Sequence, residues 1–187
     1  MPLERLKAKF EDSGINLRSP LSIEDVSEFE AKAGILLPAD YVEFITTIAN
    51  GGFSPCRLKP LADWHYRYDI KRPQPEICLT QPCIITPDAV QHGDKWIDVQ
   101  NVDRYEERWD NDEWDPLVGT ICVAELGCGW VYSLIINGPF VGRIFAYGGC
   151  AFLPPQFVEE RTFTDWIESS VYKIVAGKHA SFLDGEV

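Results

Sequence analysis

The sequence lacks an apolar run of the length that crosses a bilayer, which is about 18 to 20 residues. It also lacks the basic start and apolar block of a secretory signal, because its first ten residues mix charges with Leu3, Leu6 and Phe10. We therefore expect no membrane association, and we expect the protein to stay in the cytoplasm where it is made.

Positive charge is scarce. The chain has 17 Lys and Arg residues against 29 Asp and Glu residues, which gives a formal net charge of −12. Direct binding to nucleic acid is not expected, since phosphates are bound by clustered Lys and Arg. The acidic balance favours a basic protein partner, although a merely soluble surface explains the same charge.

Catalytic and metal-binding motifs are missing as well. There is no phosphate-binding loop, no serine-nucleophile elbow and no zinc-protease motif, and none of the six cysteines stands in a C-x-x-C pair. Without an export signal we expect the thiols to be reduced and buried. The sequence thus predicts no catalytic residue, no metal and no cofactor. The remaining enzymatic alternative requires a Cys, a His and a carboxylate to meet in one cleft.

Helical periodicity dominates the first 50 residues. A first helix is predicted to stop at Gly14, and a second begins at Ser22, with Asp25 placed for a capping box and Gly34 as its end. Pro38 suits the first turn of a third helix. Apolar residues at i, i+3, i+4 and i+7 form the inner stripe of that helix: Tyr41, Phe44, Ile45 and Ile48.

Strand patterns appear in the second half. Residues 77–79 and 83–86 are candidate short strands, while residues 120–124, 130–136 and 141–147 predict an antiparallel meander whose last turn is Asn137-Gly138. A closing helix begins near Thr162. The order of elements predicts an α+β fold with N-terminal helices, a mainly antiparallel sheet with a C-terminal meander, and a closing C-terminal helix.

The stretch from residue 64 to about 115 is acidic and aromatic, and we interpret the chain as one domain, residues 1–187, with this segment as an insertion-like addition. Each aromatic residue alone is explained slightly better as core. Three tryptophans among acidic residues nevertheless indicate a binding surface for a basic protein, because Trp is common at binding hot spots. The predicted partner-binding residues are Trp96, Trp109, Asp110, Asp112, Glu113 and Trp114.

Two segments carry a family likeness. The first has an acidic residue in a helix, then an L-P-x-x-Y pattern, then a helix that ends in N-G-G; the second has a G-x-G-W turn before a strand and a later glycine. The residues concerned are Glu30, Pro38, Tyr41, Asn50, Gly51, Gly52, Gly127, Gly129, Trp130 and Gly142. In these segments, which cover less than half of the chain, the sequence resembles the SUKH superfamily.

That superfamily includes bacterial immunity proteins against secreted toxins and the Smi/Knr-type regulators of cell-wall glucan synthesis in yeast. The resemblance implies an α+β fold, protein binding and no catalysis. It favours an immunity-type protein that neutralises a toxin, such as a basic nuclease, by occlusion. A regulatory scaffold or a small-ligand-binding protein is the alternative. The glycines and Pro38 of the motif have structural uses, so we expect these residues to hold the fold and function to lie elsewhere.

Overall fold

A computed structural model describes residues 2–52, 57–65, 75–89, 117–127, 129–148 and 154–176. Three helices come first: α1 (Pro2–Ser13), α2 (Ile23–Ala33) and α3 (Ala39–Thr47). A short helix α4 (Pro75–Thr80) precedes the longer strands, and α5 (Phe163–Val175) follows the last strand. The predicted α+β arrangement with a closing helix is confirmed. The single-domain boundary of 1–187 and the insertion-like segment stay predictions, since most of residues 64–115 lies outside the described ranges.

Local signals in the sequence explain where the helices begin and end. At the start of α2, the Asp25 amide donates to Ser22 Oγ over 3.1 Å, and the Ser22 amide donates to Asp25 Oδ2 over 3.2 Å. This reciprocal pair is the predicted capping box. Gly34 ends the helix in the left-handed conformation, with φ of 68°. At α5 the Asp165 amide donates to Thr162 Oγ1.

The five described strands form one antiparallel sheet in sequence order. The outer strands are β1 (Arg57–Leu58) and β5 (Gln156–Phe157), and both are two residues long. Between them lie β2 (Thr120–Gly127), β3 (Trp130–Ile135) and β4 (Ile144–Gly148). The register is fixed by pairs such as Cys122 with Ser133 and Ser133 with Phe145. The predicted antiparallel meander is therefore confirmed.

Two predictions of strands are wrong. Residues 77–79 lie in α4, which begins at Pro75, and residues 83–86 form no strand. Proline at the first position of a helix costs no hydrogen bond, whereas Pro82 lacks the amide that a sheet ladder needs. The Cys83 amide makes a backbone bond to the Asn137 carbonyl over 2.9 Å.

The connection between β3 and β4 is also longer than the two-residue turn that Asn137-Gly138 predicts, because the strands stop at Ile135 and restart at Ile144. Asn137 is used to hold the loop before the sheet: its side-chain amide donates to the Thr80 carbonyl over 2.7 Å. Pro139 has no amide for a hairpin ladder. Val141 consequently lies exposed in this loop and not in the strand.

Both faces of the sheet are buried. The helices pack on one face, where Ile121, Leu134 and Ile144 join the main core with Phe44 of α3. On the other face Phe145 and Tyr147 pack with Cys83 and Ile85. Along β4 the side chains therefore alternate between the two faces of the sheet, as they do in a regular strand. A bulge between Cys122 and Ala124 lets Val123 and Ala124 both join the helical core.

Candidate protein-binding surface

The turn between α2 and α3 is closed by Glu30. Its carboxylate oxygen Oε1 accepts the Leu37 amide over 2.7 Å, and its carbonyl accepts the amides of Gly34 and Ile35 over 2.8 and 3.2 Å. Three amides of the turn are thus satisfied by one residue, which leaves the backbone little freedom. The acidic residue of the sequence motif therefore has a structural role here.

This turn holds one leucine outward. The side chain of Leu36 is 78% exposed, while its neighbour Leu37 is buried and Ile35 packs partly against the main core. The Glu30 hydrogen bonds and the packing of Ile35 and Leu37 hold the backbone on both sides of Leu36. A large apolar side chain on a rigid turn is suited to fill a pocket on another protein, because little conformational entropy is lost on binding.

The sequence does not reveal the exposure of Leu36. Ile35, Leu36 and Leu37 form a continuous apolar run that resembles a core segment. The hydrogen bond that closes the turn comes from Glu30, which is seven residues from Leu37. The signals that locate the turn are Gly34, which ends α2, and Pro38, which occupies the N-cap position of α3. They place the turn without indicating which leucine faces solvent.

Exposed acidic side chains lie on α2, the helix before the turn that carries Leu36. On α2, Glu24, Asp25 and Glu28 are exposed, and Ile23 at the start of the helix is 55% exposed. Exposed carboxylates attract positively charged proteins over distances of about 10 Å at ordinary ionic strength. Ile23 and these carboxylates therefore contribute to the acidic surface at the start of α2, and Leu36 lies beyond the other end of the helix.

Other motif residues hold the framework. Tyr41 of α3 is buried against the ring of Phe163, with 4.8 Å between ring centroids, and burial raises the pKa of its hydroxyl. Trp130, the first residue of β3, lies across Gly148, where an added Cβ would come within 2.6 Å of the indole ring. Gly127 and Gly129 flank the turn before β3, and Gly142 lies in the loop before β4.

The N-G-G segment ties the end of α3 to two other parts of the chain. Asn50 Oδ1 accepts the Leu61 amide over 2.8 Å, and the Gly51 carbonyl accepts the Arg18 amide over 3.0 Å. Gly52 has φ of 104°, and a Cβ on it would lie 2.7 Å from the Arg18 nitrogen. A residue without a side chain is required there by both backbone conformation and space.

A partly buried ion pair lies at the edge of the sheet. Lys59 Nζ donates to Glu125 Oε1 over 3.1 Å and to the His65 carbonyl over 3.2 Å, and the Lys59 side chain is 7% exposed. The nearby thiol of Cys122 is buried, and burial raises its pKa to about 12. That thiol is therefore protonated at neutral pH and is no nucleophile. His65 contributes its backbone and not its imidazole to this cluster.

Over the described ranges, no three His, Cys, Asp or Glu side chains lie together in a way that suits a metal ion. Within the same ranges, no helix is both long and apolar enough to cross a membrane. The predicted partner-binding residues all lie outside the described residues: Trp96, Trp109, Asp110, Asp112, Glu113 and Trp114. Their role stays a prediction.

Comparison with known proteins gives one finding. The sequence model of the SMI1 / KNR4 family (SUKH-1) matches residues 20–169, which is more than half of the chain. The match begins in the segment before α2 and ends within α5, so it includes the Glu30 turn, the N-G-G segment and the whole described sheet. No curated protein matches the chain.

Proposed function

The chain belongs to the SMI1 / KNR4 family (SUKH-1), and from this membership we propose that it is a non-catalytic protein-binding domain of the immunity type. The observation that carries the proposal is the rigid turn between α2 and α3, which keeps Leu36 exposed while its neighbours are anchored. An apolar side chain held in this way is compatible with a protein partner, since a pocket on that partner would remove it from water.

The charge of the chain supports a basic partner. A net charge of −12 and the exposed carboxylates of α2 would accelerate the encounter with a positively charged protein. In this proposal the partner is a toxin domain, such as a basic nuclease, and the chain neutralises it by covering its active surface. The contact residues that the sequence predicts in the central segment are part of this proposal: Trp96, Trp109, Asp110, Asp112, Glu113 and Trp114. The proposal places both proteins in the cytoplasm.

A regulatory scaffold of the cell-wall-regulator type, or a binder of a small ligand, is the second candidate. The protonated, buried state of Cys122 is compatible with either candidate and offers no activated thiol to an enzyme. The two candidates differ in genetic context: a neighbouring gene for a large secreted toxin favours the immunity role, and its absence favours the regulatory role.

The test is an affinity pull-down from a lysate of the native cell at low and moderate salt, followed by mass spectrometry. A single basic protein that is retained at low salt, and released as salt rises, supports the proposal and identifies the target. The captured protein is then produced separately and bound to the purified chain, which excludes indirect capture. Retention of no protein at either salt would contradict the protein-binding role and lead to a screen for small ligands.

A further inference from the structure

Helix α1 lies outside the part of the chain that matches the family. The match starts at residue 20, and α1 has ended at Ser13. The helix is nevertheless attached to the core through Leu6 and Phe10, which are 1% and 3% exposed. Phe10 contacts Phe44 of α3, with 6.2 Å between ring centroids. The helix therefore adds an apolar contact to a framework that begins after it.

Polar contacts on the surface complete the attachment of α1 to α5. Glu168 Oε1 accepts from Arg5 Nη2 and from Lys9 Nζ, each over 2.9 Å, and Lys9 Nζ lies 3.4 Å from the centroid of the Tyr172 ring. Arg5 is largely exposed, and the Lys9 and Glu168 side chains are partly exposed. Ion pairs in contact with water are weak and are screened by salt.

The backbone that connects α1 to α2 is exposed at Gly14 and is held by hydrogen bonds from Arg18 onward. Gly14 is exposed, has φ of 66°, and an added Cβ there would meet nothing within 4 Å. Beyond it, the Arg18 amide donates to the Gly51 carbonyl over 3.0 Å and the Leu21 amide donates to the Ile45 carbonyl over 2.9 Å. Backbone rotation at Gly14 therefore moves α1 without disturbing the fixed segment.

We propose that α1 is a cover that opens about Gly14 while the rest of the described fold stays intact, and that Glu168 is the salt-sensitive latch that holds it closed. Opening removes Phe10 from Phe44 and exposes apolar surface between α3 and α5 that is otherwise hidden. Among the α1 side chains that the structure describes, Leu6 and Phe10 anchor the helix in the core, and the ion pairs to α5 are in contact with water. Segments held by few buried contacts and by exposed polar ones are those that open locally. This inference does not rest on the protein-binding role.

The test is native-state hydrogen exchange of the full chain, read by mass spectrometry for residues 6–13 of α1 and for α3 as internal standard. Wild type is compared with Glu168→Gln and with Glu159→Gln, an equal change of charge at an exposed glutamate before α5. We expect α1 to exchange faster than α3 in wild type, and roughly tenfold faster again in Glu168→Gln, because two pairs to α1 are lost. Glu159→Gln should resemble wild type.

Salt supplies a second measurement without mutation. Raising salt to roughly 0.5 M should accelerate exchange in α1 of the wild type and have less effect on Glu168→Gln, whose latch is already absent. A further variant, Lys9→Gln, weakens the same latch from α1 and guards against an unexpected effect of Glu168→Gln on folding. The proposal is overturned if α1 exchanges at the rate of α3 in every variant, or if neither substitution nor salt changes the rate of α1.

Discussion

Glu30 and Leu37, seven residues apart, are joined by a 2.7 Å hydrogen bond from the Leu37 amide to the Glu30 carboxylate, and this bond closes the turn between α2 and α3. The same turn holds Leu36 outward. The acidic residue of the sequence motif therefore has a structural role, because it accepts a backbone hydrogen bond, and the exposed Leu36 lies beside it.

Replacing Glu30 tests its role in closing the turn between α2 and α3. Glu30→Ala leaves the Leu37 amide without its charged acceptor and should lower the free energy of unfolding by about 1–3 kcal/mol. Glu30→Gln keeps an acceptor oxygen and should lose about half as much or less. Urea unfolding monitored by tryptophan fluorescence measures both. Glu28→Gln, an exposed substitution on the same helix, is the control, and equal losses for Glu28→Gln and Glu30→Ala would contradict the assigned role.

Comparing alanine substitutions at Gly52 and Gly142 tests how tightly the N-G-G segment is packed. Both have positive φ, 104° and 87°, but a Cβ on Gly52 would lie 2.7 Å from the Arg18 nitrogen, whereas a Cβ on Gly142 would meet nothing within 4 Å. Gly142→Ala should cost about 1 kcal/mol of stability from the backbone alone, and Gly52→Ala about 2 kcal/mol more because backbone must move. Equal costs in chemical denaturation would show that the segment is not tightly packed.

The sequence predicts the framework well and the surface poorly, for physical reasons. Capping by Ser22 and Asp25, the stripe from Tyr41 to Ile48 and the strand alternation are local signals that the core satisfies. The prediction for residues 77–79 was wrong because a short apolar run is compatible with either a strand or a buried helix. The proline at residue 75 suits the first position of a helix, and the helix begins there. The exposure of Leu36 depends on the hydrogen bond between the Leu37 amide and the Glu30 carboxylate. The spacing of apolar residues in the sequence does not predict a hydrogen bond of this kind.

Cys122 provides a test of the buried face of the sheet. Its pKa of about 12 means that the thiol stays protonated at pH 9 as well as at pH 7, since both lie well below that value. We therefore expect no alkylation of Cys122 by iodoacetamide in the folded protein at either pH, and complete reaction in urea. Peptide mass spectrometry locates the label. Rapid native labelling of Cys122 would show that this face is open to solvent.

Charge reversal in the central segment tests the predicted contact residues. The combined substitution of Asp110, Asp112 and Glu113 by Lys should mainly slow association with a basic partner, because these charges act on the encounter at long range. Surface plasmon resonance with the partner identified by pull-down separates association from dissociation. A triple Lys substitution of exposed Glu11, Asp12 and Asp63 produces the same change of net charge elsewhere. Identical association rates for wild type and the Asp110–Asp112–Glu113 variant would remove this segment from the interface.

The most direct measurement of the central claim is the affinity of the purified partner for Leu36→Ala, by isothermal titration calorimetry, beside wild type and Ile23→Ala. Ile23 is also an exposed apolar residue, but it lies at the start of α2 and not on the turn that Glu30 closes. Leu36→Ala should leave stability within about 0.5 kcal/mol of wild type, because its side chain is already in water. We predict that it raises the dissociation constant by about tenfold or more, as loss of a binding hot spot does, while Ile23→Ala has little effect. An unchanged affinity for Leu36→Ala would contradict the claim that this turn presents the binding residue.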